Sequence, residues 1–415
     1  MNFLGNIWRK LTPTKALVLS GGDLETMFFE PVYRTAYFSG LSSCDRDLPY
    51  LLYSTTIKLM SIFFVGGEVW FACSENLSLD EIAASINVIV IHFLTMLRLK
   101  NMMDHKDIYK KLATSMESTK MDTSTPKRKQ LVEFWARRHK IFLKSLLALG
   151  HCALAAWHIY PLIDELDYNL MVGVRIPYKY DTPLKYTFTY IVVAIAFIFT
   201  SLFVMVTDLI MQAHLLSLIC QFTILADCFE NILVDCRNEI NGDGRVLPTA
   251  NNNCFVKVYL RRLNYLVHQH KFVLDHSMEL RSILSTPMLW QLAASGILIC
   301  FVGYQLATTV AENLAKCLMS LFYLSYNMFA LYIICRWCEE ITIQSQNIGA
   351  AIYSSGWEAG MAAIPGLRST ILFVILRANK PIIFSAGGMY NLSLTSYTAL
   401  VKASYSALTF LLRFR

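Results

Sequence analysis

Residues 386–415 read AGGMYNLSLTSYTALVKASYSALTFLLRFR, and the fold turns on how they are understood. The stretch is long enough to cross a bilayer as a helix, yet it carries Asn391, Lys402 and many Ser, Thr and Tyr. A polar group left unsatisfied in hydrocarbon costs several kcal/mol, so such a span must turn its polar side toward something other than lipid. At about 100° per residue, Asn391, Thr395, Thr398, Lys402, Ser406, Thr409 and Arg413 fall within an arc of about 80°. A stripe of this kind faces a water-filled path or packs against other helices, where small polar residues are common contacts. The residue pattern leaves both readings open. A bare ammonium would repel cations in a path, so Lys402 is expected to pair with an acid or reach toward headgroups.

Around this stretch, 55% of the 415 residues are hydrophobic, only 16% are charged, and the mean hydropathy is +0.43. That composition belongs to an integral membrane protein and gives no reason to expect a nucleic-acid partner. The opening MNFLGNIWRKLTPTK lacks the apolar run of a cleaved leader, so it is expected to be retained. Apolar runs give seven candidate spans, near 50–72, 81–103, 141–163, 187–217, 285–309, 315–337 and 370–412. The last is composite, because RANKPIIFSAGG, with its proline and paired glycines, interrupts it.

Lys and Arg orient these spans. Residues 98–144 hold thirteen, 219–284 hold seven and 1–49 hold five, whereas 73–81 hold none. Positive segments stay in the cytosol, so the N-terminus is expected inside and the C-terminus outside. Asn76-Leu77-Ser78, a glycosylation sequon, falls in a loop placed outside. Basic amphipathic stretches run directly into spans three and five, which predicts helices that project into the cytosol and pack there as an anchor. The expected organisation is a leader over 1–49 and spans one to four over 50–218, with an extension at about 104–140. A cytosolic segment over 219–284, spans five and six over 285–369 and a broken seventh span over 370–415 complete it. The turn-rich 237–253 reads as a loop.

The ending YNLSLTSYTALVKASYSALTFLL, the stretch AIYSSGWEAG (351–360) with Tyr353 and Trp357, IPYKYDTPLKYTFTYI (176–191) and the inverted seven-span plan together resemble the insect odorant receptor family. The resemblance covers nearly the whole chain. It implies an odour-gated, non-selective cation channel in the plasma membrane, assembled as a heterotetramer with the shared co-receptor, whose pore is built from the last helix of each subunit. On that footing the pore would be lined by Asn391, Thr395, Thr398, Lys402, Ser406 and Thr409. An apolar ring near the outer end would fall to Phe410 and Phe414. The resemblance also implies an odorant pocket in the outer half of the bundle among spans two, three, four and six. The residues at that depth are Ser85, Val88 and His92, then Leu154, Trp157 and His158, then Tyr190, Ala194 and Phe197, and finally Phe322, Tyr323 and Tyr326. Tyr323 and Tyr326 match the spacing of tyrosines in the family's pocket. This aromatic, mostly apolar set suits a volatile or lipid-like molecule.

Other readings fit less well. A gustatory-type channel of the same superfamily shares the span plan. A G-protein-coupled receptor would need an external N-terminus, against the charge distribution, and an Asn-Pro-x-x-Tyr in span seven that is absent. An intramembrane enzyme is disfavoured because His92, His151, His158 and His214 have no acid at helical spacing. No cofactor or metal is expected. His268, His270 and His276 read as a solvated helix face, and Cys335 and Cys338 have no second pair with which to hold zinc.

Overall fold

The computed structural model describes residues 3–73, 79–117, 121–163, 169–240, 252–310, 313–358 and 360–414. Short helices α1 (Phe3–Leu11), α2 (Lys15–Val18) and α3 (Asp23–Phe38) precede α4 (Leu48–Ala72) and α5 (Leu79–Asp104). Then come α6 (Lys106–Thr114), α7 (Pro126–Ile163), α8 (Pro183–Glu230) and α9 (Ile232–Ile240). The chain closes with α10 (Asn253–Thr309), α11 (Leu314–Tyr353), α12 (Leu367–Ala378) and α13 (Leu394–Leu411). Six of these, α4, α5, α7, α8, α10 and α11, are long and apolar enough to cross a membrane. The polarity of α13 keeps it out of that set, and α12 is too short.

Helix α8 is the axis of the bundle. It has proline at its first position and neither proline nor glycine beyond it, so nothing interrupts 48 residues of hydrogen-bond ladder. Between residues 202 and 229 nearly every side chain is buried, because α3, α4, α5, α7, α10 and α11 pack around it. Helix α10 starts where Asn252 caps the backbone N–H groups of Cys254 and Phe255 at 3.1 and 3.2 Å. It continues for 57 residues through an internal proline, Pro287.

The segment after α11 is interrupted. Helix α12 starts at Gly366, whose φ of +77° suits glycine. The chain then forms a two-residue antiparallel hairpin, Ser385–Ala386 against Tyr390–Asn391, before Ser393 caps α13. At the hairpin turn, Gly387 (φ +59°) lies against α10, donating its N–H to the Ser285 carbonyl at 2.9 Å. A Cβ there would come within 2.7 Å of Leu289.

The basic end of the bundle is held by an ionic cluster. Arg128 of α7, fully buried, reaches Asp122 at 2.8 Å, Asp227 of α8 at 2.9 Å and Asp235 of α9 at 2.6 Å. Arg262 of α10 also meets Asp122 and Asp235. Burial alone would raise Asp122, but hydrogen bonds from Ser124 and the Arg262 guanidinium bring it down to about 2.

The structure corrects one expectation here. His270 and His276 are buried in this end of the bundle, while only His268 is exposed. His270 stands edge-on to Phe229, and burial, with Arg377 nearby, pushes it down to about 4. The helix extension keeps an exposed stripe at helical spacing through residues 257, 261, 264, 268, 271, 275 and 278, and His270 and His276 lie off it. The sequon Asn76-Leu77-Ser78 and residues 241–251 of the turn-rich loop lie outside the described residues.

Candidate functional site

Four helices converge on an apolar cavity. Residues one turn apart on each supply its wall: Val88, Ile91 and His92 from α5, Gly150, Ala153, Leu154 and Trp157 from α7, Phe197, Ser201, Val204 and Met205 from α8, and Tyr323 and Tyr326 from α11. The close approach of α7 depends on Gly150. A Cβ there would stand 2.5 Å from Met205 Cε and 3.3 Å from Tyr326 Cε2. The rings form a cage, with Trp157 centred 5.6 Å from Phe197 and 6.1 Å from Tyr323, edge-on to the latter. Buried residues Met171, Val172 and Val174, after α7, pack over the same cluster. The enclosed volume is ≈ 50 Å³, far below the roughly 300–1,000 Å³ of typical ligand pockets.

Of the twelve residues expected from the sequence, Val88, His92, Leu154, Trp157, Phe197, Tyr323 and Tyr326 line this cavity. The other five do not. Ser85 is buried on α5, and His158 bonds back to the Leu154 carbonyl at 2.7 Å while its ring stays 5.8 Å from Phe197. Tyr190 donates its hydroxyl to the His158 carbonyl at 2.7 Å, Ala194 packs at the edge of the cluster, and Phe322 is partly exposed.

Two charged constellations at the cavity have no counterpart in the sequence reading. On one side, His92 Nδ1 lies 2.8 Å from Glu68 Oε2 of α4, both side chains only 2% exposed. On the other, Tyr326 donates its hydroxyl to Asp208 Oδ2 at 2.8 Å, while Asp208 Oδ1 accepts from Arg98 Nη1 at 2.6 Å. The acid missing at helical spacing from His92 is thus supplied by a neighbouring helix. A usable signal was present: Glu68 and Asp208 are single acids inside apolar runs, and such residues mark protein-facing or functional positions.

The polar stripe of α13 forms a second surface. Asn391, Thr395, Thr398, Lys402, Ser406 and Phe410 are exposed and Thr409 partly so, while Ser404 on the opposite side is buried. That opposite side packs on α10 and α11. Leu400 and Leu408 abut Gly296 and Gly303, where an added Cβ would come within 3.3 and 3.0 Å, and Tyr397 stands 5.8 Å from Tyr332. Within one subunit, therefore, the stripe is not the packing face. Lys402 makes no ion pair among the described residues, and the side chain of Phe414 lies outside them.

A protein-family model described as 7tm Odorant receptor matches residues 77–405. Odorant receptor 13a of Drosophila melanogaster is 24% identical over 288 residues, 66% of each chain. Odorant receptor 10 of Aedes albopictus is 28% identical over 36% of this chain and 38% of its own length. The matched segments thus span about two thirds or less of these relatives. Among solved structures, the insect olfactory receptor OR5 of Machilis hrabei in complex with eugenol superposes with a TM-score of 0.79. The alignment covers 95% of this chain and 100% of that one, at 17% identity, a likeness of fold.

Proposed function

The chain belongs to the 7tm odorant receptor family, and from that membership we propose that it is a subunit of a ligand-gated, non-selective cation channel in the plasma membrane of sensory neuron dendrites. A small apolar volatile binds in the cavity among α5, α7, α8 and α11, and α13 of each subunit lines the pore of a heterotetramer with the shared co-receptor. The basic end, with the Arg128 cluster, lies in the cytosol as an anchor, so the N-terminus is inside and the C-terminus outside. Because ≈ 50 Å³ is far below the volume of typical ligand pockets, a volatile enters as flexible walls such as Met205 change rotamer.

The observation that carries this reading is the contrast between two exposed surfaces. Outward side chains of α4, α7 and α8, such as Leu52, Phe63, Leu162 and Phe188, are apolar and suit lipid. The outward side of α13 is polar and does not. A polar membrane face that its own subunit leaves uncovered is accounted for by water and partner subunits. The carbonyls of α13 itself accept from the hydroxyls of Thr398, Ser406 and Thr409, at 2.9, 3.0 and 2.8 Å. The stripe is therefore mildly polar and demands no fixed partner.

Cysteine substitution tests it. With Cys73 and Cys317 replaced and the co-receptor present, cysteines placed singly at Thr395, Thr398, Ser406 and Thr409 are expected to react with an impermeant thiol reagent from outside and to change the odour-evoked current. Cysteines at Leu400 and Leu408 should be silent. Equal reactivity around the helix would remove α13 from the pore. Orientation has its own test: a tag after Arg415 should bind antibody on unpermeabilised cells and one before Met1 should not, and the reverse pattern would invert the topology.

A further inference from the structure

We propose that the cavity recognises its ligand through a hydrogen bond donated by His92 Nε2, and so selects volatiles bearing a carbonyl, ester or ether oxygen over hydrocarbons of the same shape. The inference rests on the cavity being the odour site and names the ligand chemistry that site takes.

Most polar groups at the wall are already committed. The Tyr323 hydroxyl donates to the Asn87 carbonyl at 3.2 Å and that of Tyr326 to Asp208. The Ser201 hydroxyl can donate or accept and imposes no preference. His92 differs, because it lines the cavity, Glu68 occupies Nδ1, and Nε2 has no hydrogen bond among the described residues.

The proton on Nε2 follows from the burial of the pair. A net charge in this apolar setting is penalised heavily, which favours the net-neutral arrangements of the Glu68–His92 pair. If Glu68 is ionised, His92 is an imidazolium and both ring nitrogens carry hydrogen. If the proton sits on Glu68 within the short bond to Nδ1, neutral imidazole must carry its hydrogen on Nε2. The remaining neutral arrangement would put a hydroxyl proton on Glu68 Oε1, which is buried without a hydrogen-bond partner among the described residues, and so wastes a donor. Both satisfied forms thus present an N–H to the cavity. That disfavoured arrangement and the net-negative pair would instead present a lone pair, and either would favour hydroxyl donors.

The test compares isosteres in cells expressing the chain with the co-receptor: acetophenone against α-methylstyrene and 1-phenylethanol, and 2-heptanone against 2-methylhept-1-ene and 2-heptanol. Each ketone is expected to half-activate at a concentration roughly three- to tenfold below its alkene, the value of one neutral hydrogen bond. The double variant Glu68→Leu with His92→Phe strands no charge and should erase that ratio. Ketones no better than their alkenes, alcohols tenfold better than ketones, or a ketone advantage that survives the double variant would each overturn the donor. Gly150→Val, whose side chain would collide with Met205, separates the two levels of the argument. It should weaken ketone and alkene responses together, and if both are unchanged, the cavity is not the odour site. If both weaken while the double variant keeps the ketone advantage, only the donor inference falls.

Discussion

Alanine at Arg128 is expected to lower the melting temperature of the solubilised protein by several degrees and to remove most of it from the cell surface. The guanidinium contacts three carboxylates from different parts of the chain and is fully buried. Removing it leaves Asp227 with Lys127 at 2.6 Å, and Asp122 and Asp235 with Arg262 as their common remaining cation. Breaking a buried pair from one side costs about 3–5 kcal/mol, a large share of the roughly 5–15 kcal/mol that separates folded from unfolded domains. Arg128→Lys keeps a charge but not the fork that bridges three partners, so it should fall between. Surface biotinylation and thermal unfolding read the outcome, and wild-type values for Arg128→Ala would show that Arg262 alone holds this end of the bundle.

Asp208→Ala is expected to be similarly damaging, for a related reason inside the apolar bundle. Arg98 and Asp208 are 1% and 2% exposed, and the lost carboxylate would leave the guanidinium buried and unpaired. The Nε and Nη2 atoms of Arg98 make no hydrogen bonds among the described residues, so the pair is incompletely satisfied there. Replacing both partners, Arg98→Met with Asp208→Leu, should therefore restore surface delivery. The double variant should still respond abnormally to odours, because Tyr326 lines the cavity and loses the acceptor of its hydroxyl. Recovery of delivery with an unchanged odour profile would separate this network from ligand recognition. Failure to recover delivery would mean that the charges themselves are needed.

The six long apolar helices and the interruption of the last segment are legible in the sequence because hydropathy and glycine placement are local properties. Seven of the cavity residues come from the family resemblance, which points to the spans and the depth, while helical spacing only groups residues one turn apart on a face. The pairings of Glu68 with His92 and of Arg98 with Asp208 were not legible. They depend on how far one helix slides along its neighbour, and no spacing within a helix records that. His270 and His276 misled for the same reason: a polar residue on a projecting helix reads as solvated until the helices that enclose it are known. The side of α13 that meets α10 was likewise undecidable, because its serines and tyrosines resemble the stripe in composition. Gly296 and Gly303, where α13 comes closest, lie a hundred residues away in the chain.

Pro287 gives α10 a fulcrum. Proline contributes no N–H to the ladder and so marks the point at which a long helix yields most easily. About 51 Å of helix lies on one side of it and about 33 Å on the other, at 1.5 Å per residue. A pivot there would sweep the longer arm through an arc about one and a half times that of the shorter. The hairpin leading into α13 is moored two residues from this pivot, by the bond from Gly387 to Ser285 and the contact with Leu289. Leverage on either arm would therefore leave the mooring nearly still, so the chain enters α13 close to the axle of the longest helix among the described residues.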